Sequence, residues 1–223
     1  MNRRLVAAIG GVMGLAALAA WAIAKPDKEL EPRPAAERPT LALVTSLPLI
    51  FGESFGLDRT GSAALARLEQ RYRVVPIGVA DAASLKGKKL LLMAHPRAQP
   101  AEALVELDQW VRDGGRLLLL ADPRLDWPSE RPLGDRLRPP PAFADTGLLN
   151  HWGLRLAEPP AGSTAGRLTS NGRCGVEEAT VARCRVGQGI VTILADADFI
   201  NSDEPEADQL DLLIEELDRL DSR

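Results

Sequence analysis

The stretch "DQWVRDGGRLLLLADPRLDW", Asp108 to Trp127, decides the fold. A helical pattern of charged and apolar residues runs to Asp113, meets two glycines, and becomes an apolar run that stops at Asp122-Pro123. A helix ending at Asp113 needs a following residue that can take the left-handed conformation, and Gly114 supplies it. Gly115 then lets the backbone turn before the next run begins. Leu117 to Ala121 is apolar on both faces, the pattern of a central parallel strand covered by helices on either side.

The same logic extends outward. "KKLLLMAH", Lys88 to His95, predicts a strand with an apolar centre, and Pro100 with Glu102 opens the helix that follows. That helix turns Leu104, Leu107 and Val111 inward, with Trp110 beside them. Two parallel strands joined in this way form a right-handed crossover unit. Upstream, "TLALVTS" (Thr40 to Ser46) is a buried strand and "SAALARLEQRY" a helix with Ala64, Leu65 and Leu68 on one face. "RVVPIGV" (Arg73 to Val79) is a strand that Pro76 assigns to a sheet edge or an end. Downstream, "TGLLNHWGLRL" reads as a short helix stopped by Gly153, then a short strand. "EEATVARCRVGQGIVTILAD" reads as a hairpin whose β-branched runs meet across Val186 to Gly189. From Pro205 onward, Leu210, Leu213, Leu217 and Leu220 share one helical face, and the acidic opposite face is expected to be solvated. The expected architecture is a three-layer α/β domain over residues 40–223, with a mainly parallel sheet and a late antiparallel hairpin.

The residues before this domain set an expected location. Asn2-Arg3-Arg4 precedes an uncharged run of twenty residues, Leu5 to Ala24. Twenty residues span a bilayer, and the arginines favour a cytoplasmic amino terminus, so residues 1–24 are expected to anchor an exported domain. The implied location is the bacterial inner membrane, with the domain in the periplasm. Cleavage after Ala24, as in a signal peptide, is the alternative. Gly10 and Gly14 form a GxxxG spacing, a weak helix-packing signal. Residues 25–39 carry charges and four prolines without apolar periodicity, the composition of a solvated spacer.

Composition narrows the function. The chain has 223 residues, a net charge of −4 and 45% hydrophobic residues, which is globular. No run of the sequence combines dense Lys and Arg with aromatics, which argues against nucleic-acid binding. Aromatics make up 4% of the chain, too few for a base- or sugar-stacking platform. Cys174 and Cys184 lie ten positions apart, Cys174 in an expected loop and Cys184 in an expected strand. In an oxidising compartment a disulfide is the favoured reading, two buried thiols the alternative. Neither His95 nor His151 has metal-ligand spacing to them.

In an open α/β sheet, ligands bind beyond the carboxyl ends of the strands. Those ends carry His95, Asp122, Asp196, Asp198, Asn201 and Asp203. Carboxylates and an imidazole in one crevice suit a divalent cation or a polar ligand. Asp and Asn also cap turns and helices for backbone reasons alone, and Asp122-Pro123 fits that use. No phosphate-cradling glycine motif and no G-x-S-x-G elbow is present. Neither cysteine sits where a nucleophile would. No catalytic residue and no cofactor is therefore expected, and the chain does not read as an enzyme.

"LLLMAHP", "ALVELDQWVRDGGRLLLLADP", "GLLNHWGLRL" and "GQGIVTILADADFIN" occur in that order. Over Arg73 to Asn201 they resemble the exported domain of uncharacterised ABC-type transport and gliding-motility accessory proteins. The resemblance implies a glutamine-amidotransferase-like (or flavodoxin-like) fold without catalytic residues. It also implies a membrane-tethered module that works through protein partners, an ABC permease complex foremost. The surfaces it would use are the Pro/Arg-rich loop Arg124 to Pro141 and the acidic edge Asp196 to Asp203, since binding residues concentrate on such excursions. The alternative function is a ligand- or metal-binding, degenerate hydrolase-like domain built on His95, Asp122 and Asp198.

Overall fold

A computed structural model of the chain describes residues 30–50, 61–201 and 207–222. The expected anchor, Leu5 to Ala24, lies outside the described residues, as does Asp203. Among the described residues no helix is long and apolar enough to cross a membrane.

The folded unit begins at Pro32. Its strands and helices run β1 Thr40–Thr45, α1 Ala63–Arg71, β2 Arg73–Pro76, α2 Ala82–Leu85, β3 Leu90–Ala94 and α3 Ala101–Arg112. They continue with β4 Arg116–Leu120, α4 Leu148–His151, β5 Leu154–Ala157, β6 Arg167–Ser170 and β7 Cys174–Glu177. β8 Val181–Val186, β9 Gly189–Leu194 and α5 Ala207–Asp221 complete the domain. Seven strands form one sheet in the order β2-β1-β3-β4-β9-β8-β7. The first five in that order are parallel, and β8 and β7 pair antiparallel. β2 is an edge strand, as Pro76 suggested.

The opening stretch folds as its residues dictate. Asp113 caps α3, and Gly114 follows with φ 107°, a conformation that costs glycine little. Gly115 is buried against the Trp110 ring, where an added Cβ would come within 2.4 Å of the indole. Leu117 to Leu120 are fully buried between two helical layers. Leu117 and Leu119 join Leu91, Met93, Val191 and Ile193 in a core that also holds Leu107, Val111 and Trp152. The alternate side chains face α5, which packs on β4 and α1.

Three expectations change. The strand "GLRL" does not join the main sheet: β5 pairs with β6, a strand the sequence did not suggest, in a separate two-stranded antiparallel sheet. Cys174 lies in β7 rather than a loop, directly opposite Cys184 on β8, and the two form a disulfide. A four-residue strand with a central glycine, Gly175, gives too short an alternation to read. The spacer is not solvated along its whole length either. Arg33 bonds Asp218 at 2.8 Å and Asp221 at 3.0 Å, lies over the Tyr72 ring, and donates its amide to the Gln70 carbonyl. Those carboxylates belong to the acidic face of α5, which is therefore an ion-pairing surface as well. On it Asp211 meets Arg67, Asp218 meets Arg71, and buried Glu216 meets Arg183 and Arg219.

Candidate functional site

His95 follows β3 on the turn toward α3, the position where strand-to-helix elbows carry nucleophiles. It is fully buried and has φ 44°, a left-handed backbone that a residue with a Cβ adopts at a cost. Its amide donates to the Leu120 carbonyl at 3.0 Å. Its Nε2 lies 2.9 Å from the Pro140 carbonyl oxygen. A carbonyl only accepts, so Nε2 carries the proton and Nδ1 is left as a buried lone pair without a partner. Burial pushes the imidazole below its usual pKa, so it is neutral at physiological pH.

Asp122 ends β4 and is also fully buried. One carboxylate oxygen accepts the Arg124 amide at 2.8 Å, the other the Ala197 amide at 3.0 Å. Its own carbonyl accepts the Phe143 amide at 2.7 Å. Asp196 follows β9 and accepts the Asp198 amide at 2.8 Å. Asp198 opens a short 3-10 turn, Asp198–Ile200, and accepts the Asp126 amide at 2.8 Å through Oδ1. Its Oδ2 is buried and has no partner among the described residues. The three aspartates bring carboxylate oxygens within 4.8 Å of one another. Burial, reinforced by the charge of Asp122, raises Asp198 to about 6 and raises Asp196 as well. Such a trio can hold a proton or a cation between its members.

The excursion after β4 closes over these strand ends. Arg97 donates to the carbonyls of Arg136 and Arg138, and the Leu125 amide donates to Pro141. At its tip two large apolar side chains are exposed, Leu133 at 79% and Leu137 at 55%. The topological switch point lies between β1 and β3, because the chain leaves β1 for β2 on one side and reaches β3 on the other. There Thr45 Oγ1 donates to the Ala94 carbonyl at 2.9 Å and the Ser46 hydroxyl to that of His95. The usual binding crevice of a doubly wound sheet is thus bridged by the protein's own side chains.

The structure brings Asp122, Asp196 and Asp198 together, with His95 at the neighbouring strand end. Asn201 caps the 3-10 turn through its backbone amide to the Asp198 carbonyl. Cys174 and Cys184 lie at the far edge of the sheet. Thr45, Ser46, Arg97 and Asp126 were missed. Nothing local in the sequence marks them, because each acts on a segment distant in the chain. His151 is exposed beside Asp108.

Comparison with solved structures gives likeness of fold at low identity. The mmIFT52 N-terminal domain is 14% identical with a TM-score of 0.54, over 81% of this chain and 97% of that one. A cytoplasmic protein from Salmonella typhimurium, STM3548, is 11% identical with a TM-score of 0.47, over 81% and 98%. A β-galactosidase from the Antarctic haloarchaeon Halorubrum lacusprofundi is 16% identical with a TM-score of 0.47, over 82% of this chain and 30% of its own. A search of curated proteins returns no match. Residues 38–159, more than half of the chain, match the family described as ABC-type uncharacterized transport system. They include β1 to β5 and both His95 and Asp122, and the protein belongs to that family.

Proposed function

We propose that this protein is a non-enzymatic, membrane-tethered accessory module of an ABC-type transport or envelope complex. It works in the periplasm through protein partners, an ABC permease foremost. Family membership carries this reading. The strand-end side chains support it, because they spend their hydrogen bonds on the protein's own backbone. Asp122 ties β4 to the turn after β9, Asp198 ties that turn to the excursion, and His95 ties β3 to Pro140. The strained elbow after β3 carries a buried histidine rather than a nucleophile. We read the domain as a glutamine-amidotransferase-like fold, of the gliding-motility accessory kind, that has exchanged catalysis for rigidity. The Cys174–Cys184 disulfide supports export, since such bonds persist in oxidising compartments. The pinned loop Arg124 to Pro141, with Leu133 and Leu137 projecting, is the surface best placed to meet a partner.

Crosslinking of the full-length chain in its membrane, followed by mass spectrometry, tests the reading. Recovery of permease or ATPase subunits through the loop supports it; recovery of the chain alone sinks it. A second reading has one specific observation in its favour. The unpartnered Oδ2 of Asp198, facing two other carboxylates, suits a divalent cation bound by Asp122, Asp196 and Asp198. Unfolding measured with and without Mg2+, Ca2+ or Mn2+ decides it: a melting temperature unmoved by millimolar metal removes that reading.

A further inference from the structure

The parallel strands all start at one end of the sheet, and that end is basic. β2 opens with Arg73, β3 follows the turn Lys86-Gly87-Lys88-Lys89, and the β8–β9 hairpin carries Arg185 just before its tip. Arg73, Lys86, Lys89 and Arg185 are exposed, and among the described residues none of them makes an ion pair. Backbone hydrogen bonds knit their elements into one continuous surface. The Arg73 amide donates to Pro39, the Arg116 amide to Lys89, and the Gln188 amide to Arg112. Carboxylates occur at this end too, and several are matched. Asp108 pairs with Arg112, while Asp218 and Asp221 pair with Arg33. Glu37, Glu69 and Asp113 remain exposed. The charge balance of the face is positive.

The chain enters the folded unit at this same end. Pro39 precedes β1 and bonds β2, and Arg33 is fastened to the last turn of α5. Asp221 in that turn accepts Arg116, the first residue of β4, through its carbonyl. The carboxylate cluster lies at the opposite end, about 17 Å away along strands of five residues. Every lysine of the chain falls either in the spacer, at Lys25 and Lys28, or on the turn into β3, at Lys86, Lys88 and Lys89.

We infer that this end of the domain is a docking face for an anionic lipid surface. The inference rests on the tethered reading above. A tether entering through the basic end holds that end at the bilayer, where each Lys or Arg near an anionic surface adds about fivefold to association. Because the tether supplies a high local concentration, four such side chains suffice without any pocket. The carboxylate end and the Leu133–Leu137 tip are then turned away from the lipid, toward partners.

The test uses the full chain reconstituted in phosphatidylcholine vesicles, with or without phosphatidylglycerol. An amine-reactive reagent is followed by mass spectrometry at Lys86 and Lys89. We expect modification about tenfold slower on the anionic vesicles, with the difference lost at high salt. The variant Arg73→Glu/Arg185→Glu keeps both lysines as reporters and should bring the two vesicle types within about twofold. Arg73→Gln/Arg185→Gln, a milder change, is the check should the reversal disturb folding, and it should fall between. Equal rates on both vesicles for the wild-type chain overturn the inference. Carbonate extraction at high pH separates this from the tether itself. A chain that resists extraction yet shows no lipid-dependent protection is tethered without docking. A chain that is extracted, but floats only with anionic vesicles, docks without a tether. A chain that is extracted and floats with neither loses both.

Discussion

Replacing Asp198 with Asn removes a charge and leaves the fold's hydrogen bond in place. Oδ1 still accepts the Asp126 amide, and the new amide nitrogen occupies the site of the unpartnered Oδ2, where it can donate to a neighbouring carboxylate. Asp198 is raised from 3.8 to about 6 by burial and by the charges of Asp122 and Asp196. At roughly 1.4 kcal/mol per unit, a fully shielded group would cost about 3 kcal/mol when ionised. Asp198 is only half-buried, and solvent screening reduces this to about 1 kcal/mol. The sign follows from proton binding. Between about pH 4 and 6 the folded state holds this proton more tightly than the unfolded state, so its contribution to stability falls as pH rises. The variant lacks that loss. Urea denaturation from pH 4 to pH 8 should give equal stability at the acid end and a gain of about 1 kcal/mol for Asp198→Asn above pH 6. A variant less stable than wild type at pH 7, or a difference independent of pH, would refute the electrostatic account of the cluster.

Gly189→Ala should cost about 3 kcal/mol or more in urea denaturation, because the new Cβ falls 2.0 Å from the Val111 carbonyl and 2.3 Å from that of Gly115. Backbone cannot yield there as a side chain would, so a loss under about 1 kcal/mol contradicts the packing of the hairpin under α3. Replacing Cys174 and Cys184 together with Ala should cost about 3 kcal/mol, the chain-entropy value for a loop of roughly ten residues; alkylation of the unreduced wild type would expose free thiols and contradict the bond. Arg33→Ala gives up two half-exposed ion pairs and a cation contact with Tyr72, together about 1–2 kcal/mol. Cleavage after Glu37 by a glutamate-specific endoproteinase should accelerate in that variant, and an unchanged rate would show that the spacer is not held by Arg33.

What the sequence revealed depended on range. The helix–glycine–strand passage from Asp108 to Ala121 was legible because each signal acts within one or two turns of chain. The β8–β9 hairpin was legible for the same reason. β6 and its pairing with β5 were not, since what joins the two strands is a pairing of Leu156 with Leu168 across a polar connection. Arg33 was hidden for a related reason: its partners Asp218 and Asp221 lie some 185 residues downstream. At the site, strand-end logic found His95, Asp122, Asp196 and Asp198, because carboxyl ends of strands are predictable once strands are. It did not reveal how those groups are used. Arg97, Asp126 and Pro140 complete the hydrogen bonds, and each reaches the site along a different segment.

The place of β9 also carries a consequence for assembly. β4 pairs with β3 on one side and β9 on the other, yet Leu117 waits for Val191 before that second side is covered. A chain that emerges amino-end first therefore presents the five-residue apolar strand Arg116–Leu120 as an open edge while more than sixty further residues appear. Proline-rich residues 123–141 follow directly and cannot supply a competing strand, which delays wrong pairing as well as right. The sheet is thus closed last at its centre. The step that seals it is arrival of the hairpin, whose tip locks beneath α3 through the Gln188-to-Arg112 bond.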